Sequence, residues 1–463
     1  MENTRIGTGS SRDSEQSLLS RRKILQSVAL GGAAALFGRS GAIPGAALTQ
    51  ELSGEITISF ADEDAIRPPY YVRALQPLRD ANPDATINID FQQLSGGEYA
   101  TRFFLAARGG NVPDLFQFGG AAIGVLAASG LIRPLDELLA EWPDWEYYPR
   151  RVRDAVTYGG QVWAIPYGLD THFLYYRKDL YEQAGLPRDW APENVDAILD
   201  AAAIIKERLP EVMPYALYGG EAGGTGTAVR GFLPLVWGYG GELRAPDGKW
   251  IIDSPSIRKT FAYYARAFQD DELVPQQVLT TPNPSRPLLE RFGNGELAML
   301  FEGSWAYGSW RRAAAETAER DIGYVLHPTE NDGPSFTVGG AGNVWFMRAD
   351  PADPKLAWAA LRAINGRDIV AGIDIADPHP IARSDAAALP EVQADAFLAD
   401  ATAALAVARF APPSPAYLDL IPIIQKATGL VASGQASAED AAARYREDLE
   451  RVLGADQVTT VDV

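Results

Sequence analysis

An alternation of strand-like and helix-like segments is the feature of this sequence that most restricts its fold. "GEITISF" at 54–60 alternates apolar and polar residues as a strand does, and the stretch at 70–81 has helical spacing and ends at the turn residues "NPD". The strand "ATINIDFQQL", the helix "GEYATRFFLAARGG", the strand "PDLFQF" and the helix "AAIGVLAASG" follow with short connections. Strands joined through helices in this way predict a parallel α/β sheet.

A second run of such segments begins after residue 170. It contains an amphipathic helix at 193–208, the strand "YALYG", a hairpin "ELRAPDGKWIID", the strand-to-helix segment "ELAMLFEGSW" and the strands "IGYVLH" and "GNVWFM". Helix starts are indicated by Ser254 before a proline, by Asp353 before a proline and by the capping-box-like Ser437. With 463 residues and no long linker, the chain is expected to form two α/β lobes.

Composition excludes several kinds of site. The chain has no cysteine, which rules out disulfides, thiolate metal ligands and a thiol nucleophile, and its three histidines are scattered, so we expect no metal and no cofactor. The formal net charge is −19. Such a surface repels phosphate backbones, so nucleic acid is not an expected partner.

The first 47 residues have the layout of an export signal. They contain six basic and three acidic residues, which leaves −22 for the remainder of the chain. The basic segment "SRRKIL" at 20–25 precedes "QSVALGGAAALFG" at 26–38, which is apolar but shorter than the ~20 residues that span a bilayer. The arginine pair resembles a twin-arginine signal. We therefore expect export by the twin-arginine machinery and a periplasmic, secreted or cell-surface protein, with an uncleaved anchor as the alternative.

Four further segments, in order, resemble a known family. These are "LAARGGNVPDLFQFGGAAIGVLAASGLIRPLDELL", "AIPYGLDTHFLYYRKDLYEQAGLP", "FGNGELAMLFEGSWAY" and "VASGQASAEDAAARYREDLERVL". They are similar to segments of extracellular solute-binding proteins of the sugar-binding, maltose-binding-protein-like type, which serve ATP-binding-cassette importers. Maltodextrin binders carry a charged pair where this chain has Ala121 and Ala122, and a lysine where it has "ADED", so maltose itself is not implied.

The resemblance implies the two-lobed class II fold of periplasmic binding proteins. Each lobe is then a mixed, mostly parallel sheet flanked by helices, with a ligand cleft between the lobes. The expected partition is a signal segment at 1–47, lobe 1 at 48–168 and 328–385, lobe 2 at 169–327 and 386–455, and a tail at 456–463. The implied partners are a small solute and the importer's permease, and we expect a monomer.

Candidate ligand-binding residues come from the resemblance and from strand ends. By resemblance, Asp170 matches an acidic residue that meets sugar hydroxyls, Trp305 a sugar-stacking tryptophan, and Phe118 a further aromatic. Ligands collect outside the carboxyl ends of strands in open α/β sheets, and glycine-rich loops let backbone approach a ligand. These arguments, and position in loops near the expected cleft, add the polar or small residues Asp62, Glu63, Gln117, Glu221, Gly340, Asn343, Arg383 and Tyr417.

Alternatives remain open from the residues themselves. Asp170 is also explained as a structural carboxylate that accepts backbone N–H groups, and Trp305 as a core residue. The acidic "ADED" loop fits a cationic solute such as a polyamine, and Asp170 with Glu221 would be the carboxylate pair of a secreted glycoside hydrolase. The sequence contains no Gly-x-Ser-x-Gly motif of the kind that indicates a serine hydrolase. The favoured interpretation is a receptor that binds a carbohydrate without chemical change.

Overall fold

A computed structural model describes residues 52–94, 96–330, 333–411 and 414–462. The expected signal segment at 1–47 lies outside the described residues. The strands are β1 (Gly54–Ala61), β2 (Ala85–Gln92), β3 (Leu115–Gly119), β4 (Thr157–Tyr158), β5 (Gln161–Val162), β6 (Ile165–Pro166), β7 (His172–Arg177), β8 (Trp250–Asp253), β9 (Met299–Gly303), β10 (Ile322–Val325), β11 (Thr337–Gly339), β12 (Asn343–Met347), β13 (Ala408–Phe410) and β14 (Val458–Thr460).

The α-helices lie between these strands and after them. They are α1 (Pro68–Ala81), α2 (Gly96–Arg108), α3 (Ile123–Ala128), α4 (Asp136–Ala140), α5 (Arg150–Ala155), α6 (Lys178–Gln183), α7 (Asp196–Arg208), α8 (Leu233–Gly238), α9 (Pro255–Ala265), α10 (Ser285–Gly293), α11 (Trp305–Ala313), α12 (Ala315–Asp321), α13 (Pro354–Ile364), α14 (Arg367–Ala376), α15 (Ser384–Ala387), α16 (Pro390–Gln393), α17 (Ala396–Ala404), α18 (Pro415–Ala432) and α19 (Ala438–Leu453). A π-helical segment, Thr227–Phe232, runs directly into α8.

The three predicted helix starts are confirmed. The Ser254 hydroxyl accepts a hydrogen bond from the N–H of Ile257, and the Ser437 side chain accepts one from the N–H of Asp440. The Asp353 carboxylate accepts hydrogen bonds from two N–H groups of α13. Each side chain satisfies a donor that the first turn of a helix leaves without an internal partner.

The first sheet has the order β2-β1-β3-β12-β6. β1 pairs parallel with β2 and β3, as the strand–helix alternation predicts, and β12 pairs antiparallel with β3 and β6. Its core includes Phe60, Leu115 and Trp345, all fully buried. This sheet forms lobe 1.

The second sheet has the order β10-β7-β9 and forms lobe 2. β9 and β10 flank β7 and both pair antiparallel with it, so this sheet is less parallel than the strand–helix pattern predicts. The predicted strand "YALYG" contributes a parallel bridge between Ala216 and Leu300, and a similar bridge joins Met213 to Leu297. A separate core surrounds this sheet.

Two chain segments that join the lobes lie side by side, next to a lobe 1 segment. Gly168 forms an antiparallel bridge with Ile381, and the N–H of Leu169 donates to the carbonyl of Pro380 at 2.9 Å. Asp170 and Gly340 exchange backbone hydrogen bonds at 3.0 and 3.3 Å. The segment of Asp170 therefore lies between the crossing segment of Gly340 and the lobe 1 segment of Ile381.

Packing divides the chain near the predicted lobe boundaries. Phe336 and Val338, from the stretch expected in lobe 1, pack in the lobe 2 core, and Ala386 and Val392, from the stretch expected in lobe 2, pack in the lobe 1 core. The 456–463 tail contains β14, which pairs with β8. In the part of the chain that the structure describes, no helix has the length and apolar character of a membrane span.

Candidate functional site

A cleft of about 1620 Å³ is lined by residues of both lobes and of the crossing segment. Lobe 1 contributes the loop after β1, the start of α2 and the start of β12. Lobe 2 contributes the glycine-rich loop at 223–226, Arg230 of the π-helical segment and residues along α10 and α11. Four of the predicted residues line it: Glu63, Asp170, Trp305 and Asn343. The crossing geometry brings these four together from distant parts of the sequence.

Asp170 presents its carboxylate to the cleft from the crossing segment. Among the described residues, none donates a hydrogen bond to its side chain, whereas its backbone is paired with Gly340. A side chain at Gly342 would place a Cβ 2.9 Å from Oδ1, and one at Gly340 would place a Cβ 3.3 Å from Oδ2. Gly340 therefore makes room for this carboxylate.

A buried ion pair lies beside Asp170. Nη1 of Arg230 is 2.5 and 2.6 Å from the two carboxylate oxygens of Glu302, which is fully buried at the end of β9. The hydroxyl of Tyr218 donates to Glu302 at 2.6 Å, and that of Ser285 does so at 3.3 Å. The pair is thus tied to three elements of lobe 2.

The charges of this pair hold each other ionised. Burial alone would raise the pKa of Glu302, but the Arg230 charge and hydrogen bonds from Tyr218, Arg230 and the Gly303 N–H keep that pKa below its usual value. Burial alone would lower the pKa of Arg230, and Glu302, Tyr218 and more weakly Asp170 raise it. The guanidinium is therefore a permanent cation that Glu302 neutralises.

Trp305 is the first residue of α11, directly after the β9 turn. A Cβ at Gly303 would overlap its six-membered ring, so the indole lies against the Gly303 backbone. The His379 ring lies nearly parallel to the indole at 5.7 Å between centroids, and His172 meets it edge-on at 5.3 Å. The indole thus lines the cleft inside a cage of two imidazoles and a glycine.

The two imidazoles reach the indole from different segments. His172 is the first residue of β7, its Nδ1 lies 2.8 Å from the carbonyl oxygen of Val338, and burial lowers its pKa although Asp170 opposes this. The neutral ring therefore donates Nδ1–H to that carbonyl. No metal-binding cluster of acidic residues and histidines occurs among the described residues.

The sequence profile of the bacterial extracellular solute-binding proteins matches residues 69–368. This match spans more than half of the chain. The chain belongs to the family of bacterial extracellular solute-binding proteins.

Curated relatives of this solute-binding protein are identical to it at about a quarter of the aligned positions. A putative binding protein of Brucella abortus is 24% identical over 85% of this chain and 92% of the relative. The erythritol/L-threitol-binding protein of Mycolicibacterium smegmatis is 24% identical over 77% of this chain and 80% of the relative. An sn-glycerol-3-phosphate-binding periplasmic protein of Brucella abortus is 26% identical over 52% of this chain and 55% of the relative.

Solved structures of similar fold cover nearly the whole of the described chain. A Thermotoga lettingae solute-binding protein with α-D-tagatose has a TM-score of 0.74 and 21% identity, covering 87% of this chain and 100% of that one. An Agrobacterium radiobacter solute-binding protein with ribitol has a TM-score of 0.71 and 19% identity, with coverage of 87% and 100%. Maltose-bound MalE3 of T. maritima has a TM-score of 0.73 and 20% identity, with coverage of 86% and 99%. These likenesses confirm the two-lobed fold.

The acidic loop of this solute-binding protein is engaged by protein groups. Glu63 and Asp64 line the cleft, but each forms an ion pair with Arg286 of lobe 2 at 2.8 Å, and Arg312 of lobe 2 pairs with Asp64 at 3.0 Å. We call these three contacts the rim ion pairs. Asp62 is buried and accepts hydrogen bonds from the backbone and Nε of Arg67 at 2.7 and 3.2 Å. Asp62 therefore anchors the start of α1 rather than facing the cleft.

Gln117 and Phe118 pack inside lobe 1. The Gln117 amide is buried, accepts a hydrogen bond from Nη1 of Arg67 at 2.5 Å and donates one to the Tyr71 hydroxyl at 3.3 Å. The Phe118 ring packs 5.4 Å from Phe103, centroid to centroid. Neither residue lines the cleft, because their side chains point into the helices that cover the sheet.

Arg383, Tyr417 and Glu221 also lie away from the cleft lining. Arg383 is 1% exposed and pairs with Asp144 and Asp385 at 2.9 and 2.7 Å, which corrects its expected place at the rim. Tyr417 is buried in the lobe 2 core and Glu221 is exposed. Trp237 is buried in the lobe 2 core as well.

Arg230, which lines the cleft, and its buried partner Glu302 are candidate functional residues that the sequence patterns did not identify. One signal was available, since Glu302 is a lone carboxylate in the apolar strand "AMLFEG", and a buried carboxylate requires a partner. Its partner lies 72 residues away in the sequence, and no local pattern identifies it.

Proposed function

We propose that this protein is an extracytoplasmic receptor that captures a carbohydrate or polyol between its lobes and delivers it, chemically unchanged, to an ATP-binding-cassette importer. The observation that carries the proposal is the Asp170 carboxylate, which is free of protein donors at the crossing between the lobes and faces the cleft beside Trp305.

The hydrogen-bonding capacity of Asp170 matches that of a polyol. A polyol offers adjacent hydroxyl donors, and a carboxylate with two free oxygens accepts two of them. A hydrogen bond to a charged group contributes roughly 1.5–3 kcal/mol. The indole edge of Trp305 supplies apolar contact for the C–H groups of the same ligand.

Relatives and structural neighbours support this class of ligand. By their names they bind erythritol and L-threitol, ribitol, α-D-tagatose and maltose. All of these are neutral molecules with several hydroxyl groups. The ligand of this chain is proposed to share that chemistry.

Two other functions have less support. The glycoside hydrolase alternative required Asp170 and Glu221 to face one ligand, and Glu221 does not line the cleft. A cationic solute was suggested by the acidic loop, and the arginines of the rim ion pairs already neutralise Glu63 and Asp64. Incubation with oligosaccharides and a reducing-end assay tests directly for hydrolysis.

The experiment for the proposed function is a thermal-shift and calorimetry screen of the mature chain. The panel contains tetritols, pentitols, ketohexoses, aldohexoses and short oligosaccharides, because bound ligand stabilises the folded state by mass action. We expect at least one to raise the melting temperature, and Asp170→Ala to weaken its binding at least tenfold. Asp80→Ala on α1 is the matched control. No response across the panel contradicts the proposal.

We also propose export by the twin-arginine pathway, which the Arg21-Arg22 pair and the family's extracellular assignment support. The double variant Arg21→Lys/Arg22→Lys of the full chain is then expected to remain in the cytoplasm, as measured by cell fractionation.

A further inference from the structure

The inner cleft contains an unmatched donor and an unmatched acceptor. Arg230 hydrogen-bonds through Nη1 only, to Glu302, to Ser285 at 3.1 Å and to Tyr218 at 3.3 Å. Its Nε and Nη2 have no partner among the described residues, and the side chain lines the cleft. The Asp170 carboxylate lines the same cleft without a donor. These two groups have opposite hydrogen-bonding needs.

The guanidinium is held in one orientation. Both Glu302 oxygens grip Nη1 from within the lobe, and the Arg230 guanidinium carbon lies 4.4 Å from the centroid of the Tyr218 ring. A Cβ at Gly226 would lie 2.7 Å from Nη2, so the glycine lets the guanidinium lie against the loop. The donors are therefore preorganised, which lowers the entropy cost of binding.

The charge around these donors disfavours an anion. Five carboxylates and three guanidinium groups line the cleft, for a net charge of −2: Glu63, Asp64, Glu98, Asp170, Glu290, Arg230, Arg286 and Arg312. Glu302 neutralises Arg230 from behind, although it is fully buried. A phosphate that reached Arg230 would meet the Asp170 and Glu302 carboxylates with no uncompensated cation.

A polycation fails for the opposite reason. Its ammonium groups donate to Asp170 but offer no acceptor to Nε and Nη2 of Arg230. Desolvating these donors without a partner costs free energy, and the cost is larger for charged groups. A ligand must both donate and accept to satisfy the two sides, and each hydroxyl of a polyol can do either.

We propose that Arg230, neutralised and oriented by Glu302, is a specificity-determining residue that accepts neutral polyhydroxylated ligands and rejects phosphorylated and polycationic ones. This inference rests on the proposed function. Hydroxyls of the ligand donate to Asp170 and accept from Nε and Nη2 of Arg230. These two hydrogen-bonding requirements together determine the ligand class.

The first test compares three chemical classes on the wild-type chain by calorimetry. The probes are the neutral panel above, sn-glycerol 3-phosphate and spermidine. We expect binding of a neutral probe and at least hundredfold weaker binding of the other two. Tight binding of sn-glycerol 3-phosphate or spermidine overturns this inference but leaves a solute receptor. A failure of every probe overturns the proposed function and the inference with it.

The second test uses Arg230→Lys with the neutral probe that binds best. Lysine keeps the charge that Glu302 needs but removes the fork of Nε and Nη2. We expect affinity to fall tenfold to hundredfold, whereas Arg102→Lys on the outer face of α2 leaves it unchanged. Unchanged affinity in Arg230→Lys contradicts the inference while the proposed function stands.

The third test uses Glu302→Gln, which leaves the Arg230 charge uncompensated. We expect the discrimination between the neutral probe and sn-glycerol 3-phosphate to shrink at least tenfold. If this variant does not fold, Asp170→Asn serves instead. It removes the other negative charge near the Arg230 guanidinium, on the side that faces the open cleft. It is expected to shrink the same ratio, and an unchanged ratio contradicts the charge argument.

Discussion

His327 is held neutral in the core of lobe 2. Its ring packs 5.4 and 5.2 Å from Phe301 and Phe336, its Nδ1 lies 2.9 Å from the carbonyl oxygen of Pro328, and burial lowers its pKa to about 4. The folded state therefore takes up this proton only at lower pH than the unfolded state, whose histidine titrates near 6.5.

The sign of this shift predicts acid sensitivity. The contribution of His327 is fully present above pH 6.5 and is lost as the pH falls toward 4, by about 3 kcal/mol in total. In His327→Asn, which keeps a donor for the Pro328 carbonyl, we expect a shallower loss of stability over this range. Urea midpoints at pH 8, 6 and 4.5 measure it. A constant difference between the two proteins at all three values contradicts the prediction.

Asp374 has the opposite pH dependence. Its carboxyl on α14 is fully buried, both oxygens lack a hydrogen-bond partner, and burial, with a smaller effect of Asp377, raises its pKa well above the usual value. The folded state therefore prefers the neutral acid, and its contribution to stability is present below pH 4 and is lost as the pH rises.

Asp374→Asn is therefore expected to stabilise the protein at alkaline pH. The amide has nearly the same volume and carries no ionisation penalty, so the melting temperature at pH 8 should exceed that of the wild type. The gain should disappear toward pH 4, which thermal unfolding at both values measures. A variant less stable than wild type at pH 8 would indicate that Asp374 has a stabilising partner.

At the scale of elements, the turn from β9 to α11 shapes the cleft wall. Glu302, Gly303 and Trp305 lie within four residues of the chain here, and the indole lies on the Gly303 backbone. The turn therefore fixes both the partner of Arg230 and the aromatic wall.

Gly303→Ala tests this element. The added methyl group overlaps the indole, so we expect a loss of about 1–3 kcal/mol in stability and a changed tryptophan fluorescence spectrum. Gly119→Ala is the matched control, because a Cβ there meets nothing within 4 Å and the backbone φ of −64° suits alanine. Equal effects of the two substitutions contradict the predicted role of the turn.

Local patterns predicted the elements better than they predicted the site. The strand–helix alternation identified β1, β2 and β3, and the caps at Ser254, Asp353 and Ser437 fixed helix starts, since these signals act within a few residues. The side-chain partners of Arg383 and Glu302 depend on contacts between distant segments. Periodicity carries no information about such contacts.

At the scale of the whole molecule, the rim ion pairs connect the two lobes across the cleft. Arg286 and Arg312 lie on α10 and α11 of lobe 2, and Glu63 and Asp64 follow β1 of lobe 1. These side chains are 35–54% exposed, so each pair contributes only ~0–1 kcal/mol and is screened by salt.

We therefore expect salt to favour separation of the lobes. The natural chain has no cysteine, so Asp80→Cys on α1 and Glu207→Cys on α7 give two unique spin-label positions, one per lobe. Pulsed electron paramagnetic resonance should report a longer mean distance in 1 M than in 50 mM NaCl. In Glu63→Gln/Asp64→Asn, the mean distance between the labels should already be longer at low salt and should not change with salt. An equal response to salt in both proteins contradicts the prediction.

The family resemblance predicted the two-lobed fold. Tertiary contacts determine which of the predicted ligand-binding residues line the cleft. Asp170 and Trp305 reach the cleft because the crossing segment and the β9 turn place them there. The acidic loop was assigned to ligand because the sequence cannot reveal arginines that approach from the other lobe. A surface shared between lobes is set by tertiary structure alone.

The Asp170 backbone is hydrogen-bonded to Gly340 of the neighbouring crossing segment, and a hinge axis between the lobes would pass through these two segments. A rotation of one half about this axis sweeps the outer tips through long arcs, while atoms near the axis hardly travel. The Asp170 carboxylate would thus stay almost stationary as the two lobes separate. A permease that contacts the outer tips would then act through a long lever arm, with the rotation axis at the carboxylate that is proposed to bind the ligand.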